Sequence, residues 1–262
     1  MTSHLFALGF YAKDPVAQAR FWAGVLGWKL ADEAADGAAS GAGGAVGTGG
    51  TDGADGVAGG VAILPNDDTG FRIRFYESQE PTRGPNQAHF DLTSQSPEEQ
   101  QATVARALEL GARHLDIGQG DDAKHVVLAD PEGNEFCVLP AGNKFLAECG
   151  FLGALSSDGT QALGYFWSKA LDWPLVWDQD EETAIRSPQG GPKITWGGPP
   201  VAPKLGTNRL FLELVPPADG DQQAEVDRLV ALGARVEGEP GEDGRVLMFD
   251  VDGNEFAVLP PR

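Results

Sequence analysis

Short stretches of alternating apolar and polar residues punctuate the chain, with helical periodicity between them. In Leu5–Phe10, Phe6, Leu8 and Phe10 fall on one side and Ala7 and Gly9 on the other, the period of two expected of a strand with one buried face. Asp14-Pro15 then supplies a capping carboxylate and a first-turn proline. The helix they open runs to about Leu26, with Phe21, Trp22, Val25 and Leu26 on its apolar side. Trp28–Ala31, Val61–Leu64 and Phe71–Tyr76 read as three further strands. The scheme then restarts with strand Ala88–Thr93. A capping box, Ser96-Pro97-Glu98-Glu99, opens a helix through Val104, Ala107 and Leu108 that stops at Gly111. Strands near His114–Ile117, Val126–Leu128 and Glu135–Leu139 follow. Strand, helix and three strands thus occur twice in the first half.

The second half repeats the first. Phe21-Trp22 and Leu26-Gly27-Trp28 return as Phe166-Trp167 and Leu171-Asp172-Trp173, an offset of 145. Arg72-Ile73-Arg74-Phe75 returns as Lys193-Ile194-Thr195-Trp196, an offset of 121. Leu110-Gly-Ala-Arg113 returns as Leu232-Gly-Ala-Arg235. Asp130-Pro-Glu-Gly-Asn-Glu-Phe-Cys-Val-Leu-Pro140 returns as Asp250-Val-Asp-Gly-Asn-Glu-Phe-Ala-Val-Leu-Pro260. Colinear matches of this extent mark a tandem duplication, with units 1–143 and 148–262. The drop in offset places an insertion of about 24 residues in the first copy. Residues 34–60 fit it: 19 of these 27 are Gly or Ala, a composition that buries little apolar surface and predicts a flexible loop.

Charge narrows the partners. Nineteen basic against 39 acidic residues give −20, spread as −11 over residues 1–143 and −9 over the rest. A polyanion or an anionic membrane is repelled by such a chain, which argues against nucleic-acid and membrane partners. The acidity favours a small cationic ligand. Only two cysteines occur, Cys137 and Cys149, so no disulfide framework exists and a reduced, cytoplasmic setting is expected.

The polar faces of the strands carry the candidate chemistry. Phe90 and Leu92 oppose His89 and Asp91; Phe136 and Val138 oppose Glu135 and Cys137; Ile73 and Phe75 oppose Arg72, Arg74 and Tyr76. If the eight strands of one copy curl together, Arg74, His89 and Glu135 converge in a concavity, with Arg72, Tyr76, Asp91 and Cys137 around them. In copy two the matching positions hold Lys193, Thr195, Glu213 and Glu255, with Phe211 in place of His89. No base in the sequence marks Cys137 as a nucleophile, and the four repeated tryptophans read as core packing.

Paired strand–helix–three-strand modules, Asp-Pro at the first helix, Phe-Trp and Leu-Gly-Trp along it, a mid-chain His-Phe-Asp-Leu and the Asp-Pro-Glu-Gly-Asn-Glu-Phe ending together resemble the vicinal oxygen chelate superfamily. Glyoxalase I, extradiol dioxygenases and bleomycin resistance proteins belong to it. The resemblance implies an α+β fold: a tandem pair of domains, each of two βαβββ modules forming a curved, cup-shaped mixed sheet with helices outside. Members with metal hold one divalent ion (Zn, Fe, Mn or Ni) on the first, fourth, fifth and eighth strands. Carried over, the fifth-strand ligand is His89 and the eighth-strand ligand Glu135. Ala7 stands at the first-strand position, with His4 available only if that strand is bulged. Arg72 or Arg74 stands at the fourth, and Leu152 replaces Ala7 in copy two. A catalytic ion normally has three protein ligands, so a degenerate or empty metal site is expected.

Three functions follow as expectations. The first is a small-molecule-binding protein of the bleomycin resistance kind. The second is a metal-dependent lyase, isomerase or dioxygenase acting through copy one. The third is a metal-free enzyme in which Arg74 holds an oxyanion and His89 moves a proton beside Glu135. Copy two is also expected to pair with copy one within the chain, as subunits pair in related dimers.

Overall fold

The computed structural model describes residues 2–32, 61–81, 83–120 and 122–262. The Gly/Ala-rich insertion at 34–60 lies outside the described residues. The described chain forms four modules of strand, helix and three strands. The first holds β1 (His4–Ala12), α1 (Pro15–Leu26), β2 (Lys29–Asp32), β3 (Val61–Leu64) and β4 (Arg72–Glu77). The second holds β5 (Ala88–Leu92), α2 (Pro97–Glu109), β6 (Arg113–His114), β7 (Val126–Ala129) and β8 (Glu135–Val138). The third holds β9 (Leu152–Ser157), α3 (Gln161–Leu171), β10 (Leu175–Gln179), β11 (Glu182–Arg186) and β12 (Lys193–Trp196). The fourth holds β13 (Leu210–Val215), α4 (Gln222–Ala231), β14 (Arg235–Glu237), β15 (Val246–Phe249) and β16 (Glu255–Val258).

Each helix starts where a short polar side chain can take an unpaired N–H. Asp14, Ser96, Thr160 and Asp221 accept from the backbone of Ala17, Glu99, Leu163 and Ala224. Behind these caps the apolar faces of the helices cover the sheets. Trp22, 1% exposed, meets Phe90 and Phe136 edge-on at centroid distances of 4.9 and 5.0 Å.

The strands do not group by copy. One eight-stranded sheet runs β14-β15-β16-β13-β1-β4-β3-β2 and joins the first module to the fourth; we call it the terminal sheet. The other, the central sheet, runs β10-β11-β12-β9-β5-β8-β7-β6 and joins the second module to the third. β1 pairs antiparallel with β13, and β5 with β9. The duplicated α+β architecture expected from the sequence is present, but the cup assembled from the eight strands of one copy is not. All four leading strands carry the same alternation of apolar and small residues, so the pattern specifies a module's face and leaves its partner open. Copy one is held together across its helices instead: the Trp22 contacts run from α1 of the first module to β5 and β8 of the second.

The repeated Asp-x-x-Gly-Asn-Glu segment knots each module pair. Asp130 accepts from the backbone of Glu132 and Asn134, from the Asn134 amide, and from Gln18 and Trp22 of α1. Glu132 accepts from the backbone N–H of Lys13 and Asp14, both at 2.9 Å. In copy two Asp250 accepts from Trp167, and Asp252 from Thr160. Glycine at 133 and 253 supplies the positive φ that the turn requires.

Candidate functional site

Register fixes which positions of the two sheets correspond. Ala7 lies opposite Arg72 and Ala154 opposite Lys193, so Ala154 and not Leu152 is the counterpart of Ala7; Leu152 packs into the core. By the same pairing Gly9 matches Ser156, Tyr11 matches Asp158, Arg74 matches Thr195, Tyr76 matches Gly197, Phe211 matches His89 and Glu213 matches Asp91.

On the terminal sheet these positions are filled. Glu213 is fully buried, 3.1 Å from Arg74 and 3.7 Å from Arg245, and accepts from the Tyr76 hydroxyl at 2.6 Å. Burial and the Glu213 charge both raise the Tyr76 hydroxyl above its usual range, so it stays a donor. Tyr11 stacks on Phe211 at 4.8 Å, and a Cβ on Gly9 would fall 2.2 Å from the Phe211 ring. Glu255 is bound by Lys204 at 2.5 Å and by the backbone N–H of Asn208. A bulge between Leu5 and Ala7 turns Phe6 out of the apolar face assigned to it with Leu8 and Phe10. Its ring takes Arg72 at 4.5 Å and Arg262 at 5.0 Å. The same bulge sets His4 opposite Val215, exposed, on this sheet.

On the central sheet the same positions carry short or titratable side chains. His89 and Asp91 on β5 lie beside Cys137 on β8, with Asp91 directly in register with Cys137. His89 Nε2 stands 3.5 Å from Asp91 Oδ1, and the side chains are 32% and 15% exposed. Ser156 donates to the other Asp91 oxygen at 2.5 Å, and Thr195 to Ser156 at 3.3 Å. Burial opposes the charged His89 ring, but hydrogen bonds to Asp91 and Cys137 outweigh it and lift its pKa to about 10. Burial raises the carboxyls of Glu135 and Asp158 above their ordinary range, and the charge of His89 offsets only part of that rise. Glu135 also accepts from the backbone N–H of Asn86 at 2.5 Å, holding the loop before β5.

The segment joining the copies lies over the far end of this face. Lys193 donates to the carbonyl of Phe145 and sits 4.3 Å over its ring, while Phe145 meets Trp177 edge-on at 5.5 Å. Leu146 and Cys149 pack with Ala154. That segment leaves uncovered the end bearing His89, Asp91, Glu135, Ser156 and Thr195, which are partly exposed, with Cys137 buried beside them. A separate cleft of about 390 Å³ opens between the loops at 78–87 and 205–209 and is lined by none of the His89, Asp91 and Cys137 set.

Arg74, His89 and Glu135 therefore do not converge. Arg74, with Arg72, Tyr76, Glu213 and Glu255, belongs to the terminal sheet; His89 and Glu135, with Asp91, Cys137, Lys193 and Thr195, belong to the central one. The joint oxyanion-and-base site expected of them is excluded by that separation. Cys137, expected to pack, is buried, and the structure sets the His89 ring beside it, their donor atoms within 4.8 Å. Ser156 and Asp158 escaped the sequence reading because Leu152 was aligned with Ala7, which shifts β9 by two residues.

The four ligand positions implied by the superfamily fall on both sheets. The terminal sheet offers Ala7, Arg72 or Arg74, Phe211 and a Glu255 already bound by Lys204, and does not fit an ion. The central sheet offers Ala154, Lys193 or Thr195, His89 and Glu135: two donors, one already holding Asn86. Those positions do not fit either. Among the described residues, one group of His, Cys and carboxylate donors does come together: atoms of His89, Asp91 and Cys137 all lie within 4.8 Å of one another.

This arrangement of paired βαβββ modules defines the protein's class, and sequence comparison agrees: the glyoxalase-like domain profile matches residues 7–139 and 154–259, so the chain belongs to the glyoxalase-like domain family. Among solved structures it is similar to glyoxalase I from Zea mays, with a TM-score of 0.61 at 11% identity over 99% of this chain and 92% of that one. It is also similar to a putative dioxygenase from Bacillus subtilis, with a TM-score of 0.58 at 13% identity over 99% and 85%. At such identities the likeness is one of fold. No curated protein matches in sequence. Among the described residues no helix is long and apolar enough to cross a membrane.

Proposed function

We propose that the chain is a small-molecule-binding protein of the glyoxalase type with one ligand site per chain, on the open end of the central sheet. The supporting observation is the asymmetry between the two faces. At four matching positions where the terminal sheet inserts a ring or guanidinium, the central sheet has a smaller group: Thr195 for Arg74, Gly197 for Tyr76, Asp158 for Tyr11 and His89 for Phe211. Asp91, Glu135 and Asp158 surround a single imidazole, and the whole chain carries −20. Such a floor suits a small cationic molecule with further hydrogen-bond donors for Ser156 and Thr195. The function does not depend on the superfamily's own metal positions, which are degenerate.

The test is a thermal-shift screen of small amines and other polar molecules in the presence of a chelator. A ligand at 100 times its Kd adds about 2.7 kcal/mol of stability. The double variant Thr195→Arg, Gly197→Tyr rebuilds the terminal sheet's filling on the central one, where a Cβ at 197 meets nothing within 4 Å. Binding by the wild type at one equivalent, lost in this variant, is the expected result. Hits that bind the folded variant equally well contradict the assignment.

A further inference from the structure

The two sheets answer an equivalent carboxylate in opposite ways. On the terminal sheet Glu213 is surrounded by two arginines and a tyrosine hydroxyl. On the central sheet Thr195, Gly197 and His125 stand where Arg74, Tyr76 and Arg245 do, so no arginine is fixed at these places. Asp91 is met there by one imidazole and one hydroxyl, with the Cys137 sulfur alongside. The neighbouring Glu135 and Asp158 add negative charge. The site holds nitrogen, oxygen and sulfur donors on two adjacent parallel strands.

We propose that His89, Asp91 and Cys137 bind a divalent transition-metal ion of the zinc type, in a site displaced from the positions the superfamily uses. Thiolate, imidazole and carboxylate together select a borderline-soft ion over magnesium or calcium. Donor atoms of a tetrahedral zinc centre lie about 3.3–3.8 Å apart, so donors within 4.8 Å of one another need approach by only about 1 Å. Ser156 holds the second oxygen of Asp91, orienting the carboxylate as outer partners of metal ligands do. On binding, the Cys137 thiol and the His89 ring each release a proton to solvent, and their lone pairs form the metal bonds. Three protein donors leave one position for water or the bound small molecule.

The full chain, freed of metal by a chelator and desalted under reducing conditions, is titrated with Co²⁺ alone. One equivalent should bind and give a thiolate-to-cobalt absorption band in the near ultraviolet. Cys149→Ser, which removes the other cysteine, should keep the band. Cys137→Ser should lose it, and His89→Gln and Asp91→Asn should each weaken binding at least tenfold. No stoichiometric binding by the wild type, or one equivalent bound with no thiolate band, overturns the proposal. So does a band that Cys149→Ser abolishes. These two readouts need neither Cys137→Ser nor any small molecule, so they stand if that variant fails to fold and are independent of the ligand screen.

Discussion

Asp130 shows how one side chain couples fold and pH. It is buried against α1, and burial lifts its carboxyl to about 6 although five groups donate to it. A folded pKa above the unfolded value of 3.8 means that the native state holds the proton more tightly. The associated stability is present below about pH 4 and is lost as pH rises through 6, a change of about 3 kcal/mol at 1.36 kcal/mol per unit. Denaturant unfolding of the wild type and Asp130→Asn from pH 4 to 7 checks this. The wild type should lose stability relative to the variant over that interval, and a constant difference contradicts it. Glu213 gives a second prediction. Glu213→Ala removes the buried carboxylate that Arg74 and Arg245 share, although Arg245 keeps Asp243, and should cost about 3–5 kcal/mol in the same assay. The strand faces of both sets of residues were legible from alternation alone. Their partners were not, because Asp91 and Cys137 meet only through the β5–β8 register and Arg74 meets Glu213 only through the exchange of modules.

At the scale of the element, β1 and β13 lie side by side with Gly9 and Phe211 as a cross-strand pair. A methyl group at Gly9 would drive into the Phe211 ring at 2.2 Å. Gly9→Ala should destabilise by about 1–3 kcal/mol through overpacking. The penalty should shrink in a Phe211→Ala background, giving a coupling energy above about 1 kcal/mol in a double-mutant cycle. Additive effects would show that the ring is free to move aside. Helix starts were readable at Asp14 and Ser96 because capping is local chemistry, and α1 and α2 begin at the prolines that follow them. The bulge at Phe6 was not readable: an inserted residue leaves the surrounding alternation intact and shows only in the pairing with β13. The repeated Asp-x-x-Gly-Asn-Glu segment recurs because its polar groups tie turn, helix and loop together. This explains why Glu135 and Glu255 are both present although their two sheets differ so much in charge and filling.

For the whole molecule, duplication was written plainly in the sequence, whereas the exchange of modules between copies was not. Both eight-stranded sheets draw half their strands from each copy, and one apolar core spans them. Segments 1–143 and 148–262 expressed separately should therefore fail to give folded monomers, and mixing them should restore native near-ultraviolet circular dichroism. A folded, monomeric 1–143 segment would contradict this. The same exchange gives the protein one face filled by rings and guanidinium groups and one with smaller side chains at four matching positions, which is the center of the functional account. Its most direct test is a crystal structure of the full chain with the tightest small molecule from the thermal-shift screen. The ligand should lie on the central sheet against β5, β8, β9 and β12, beside His89; a ligand seated on the terminal sheet among Arg74, Tyr76 and Glu213 would contradict it.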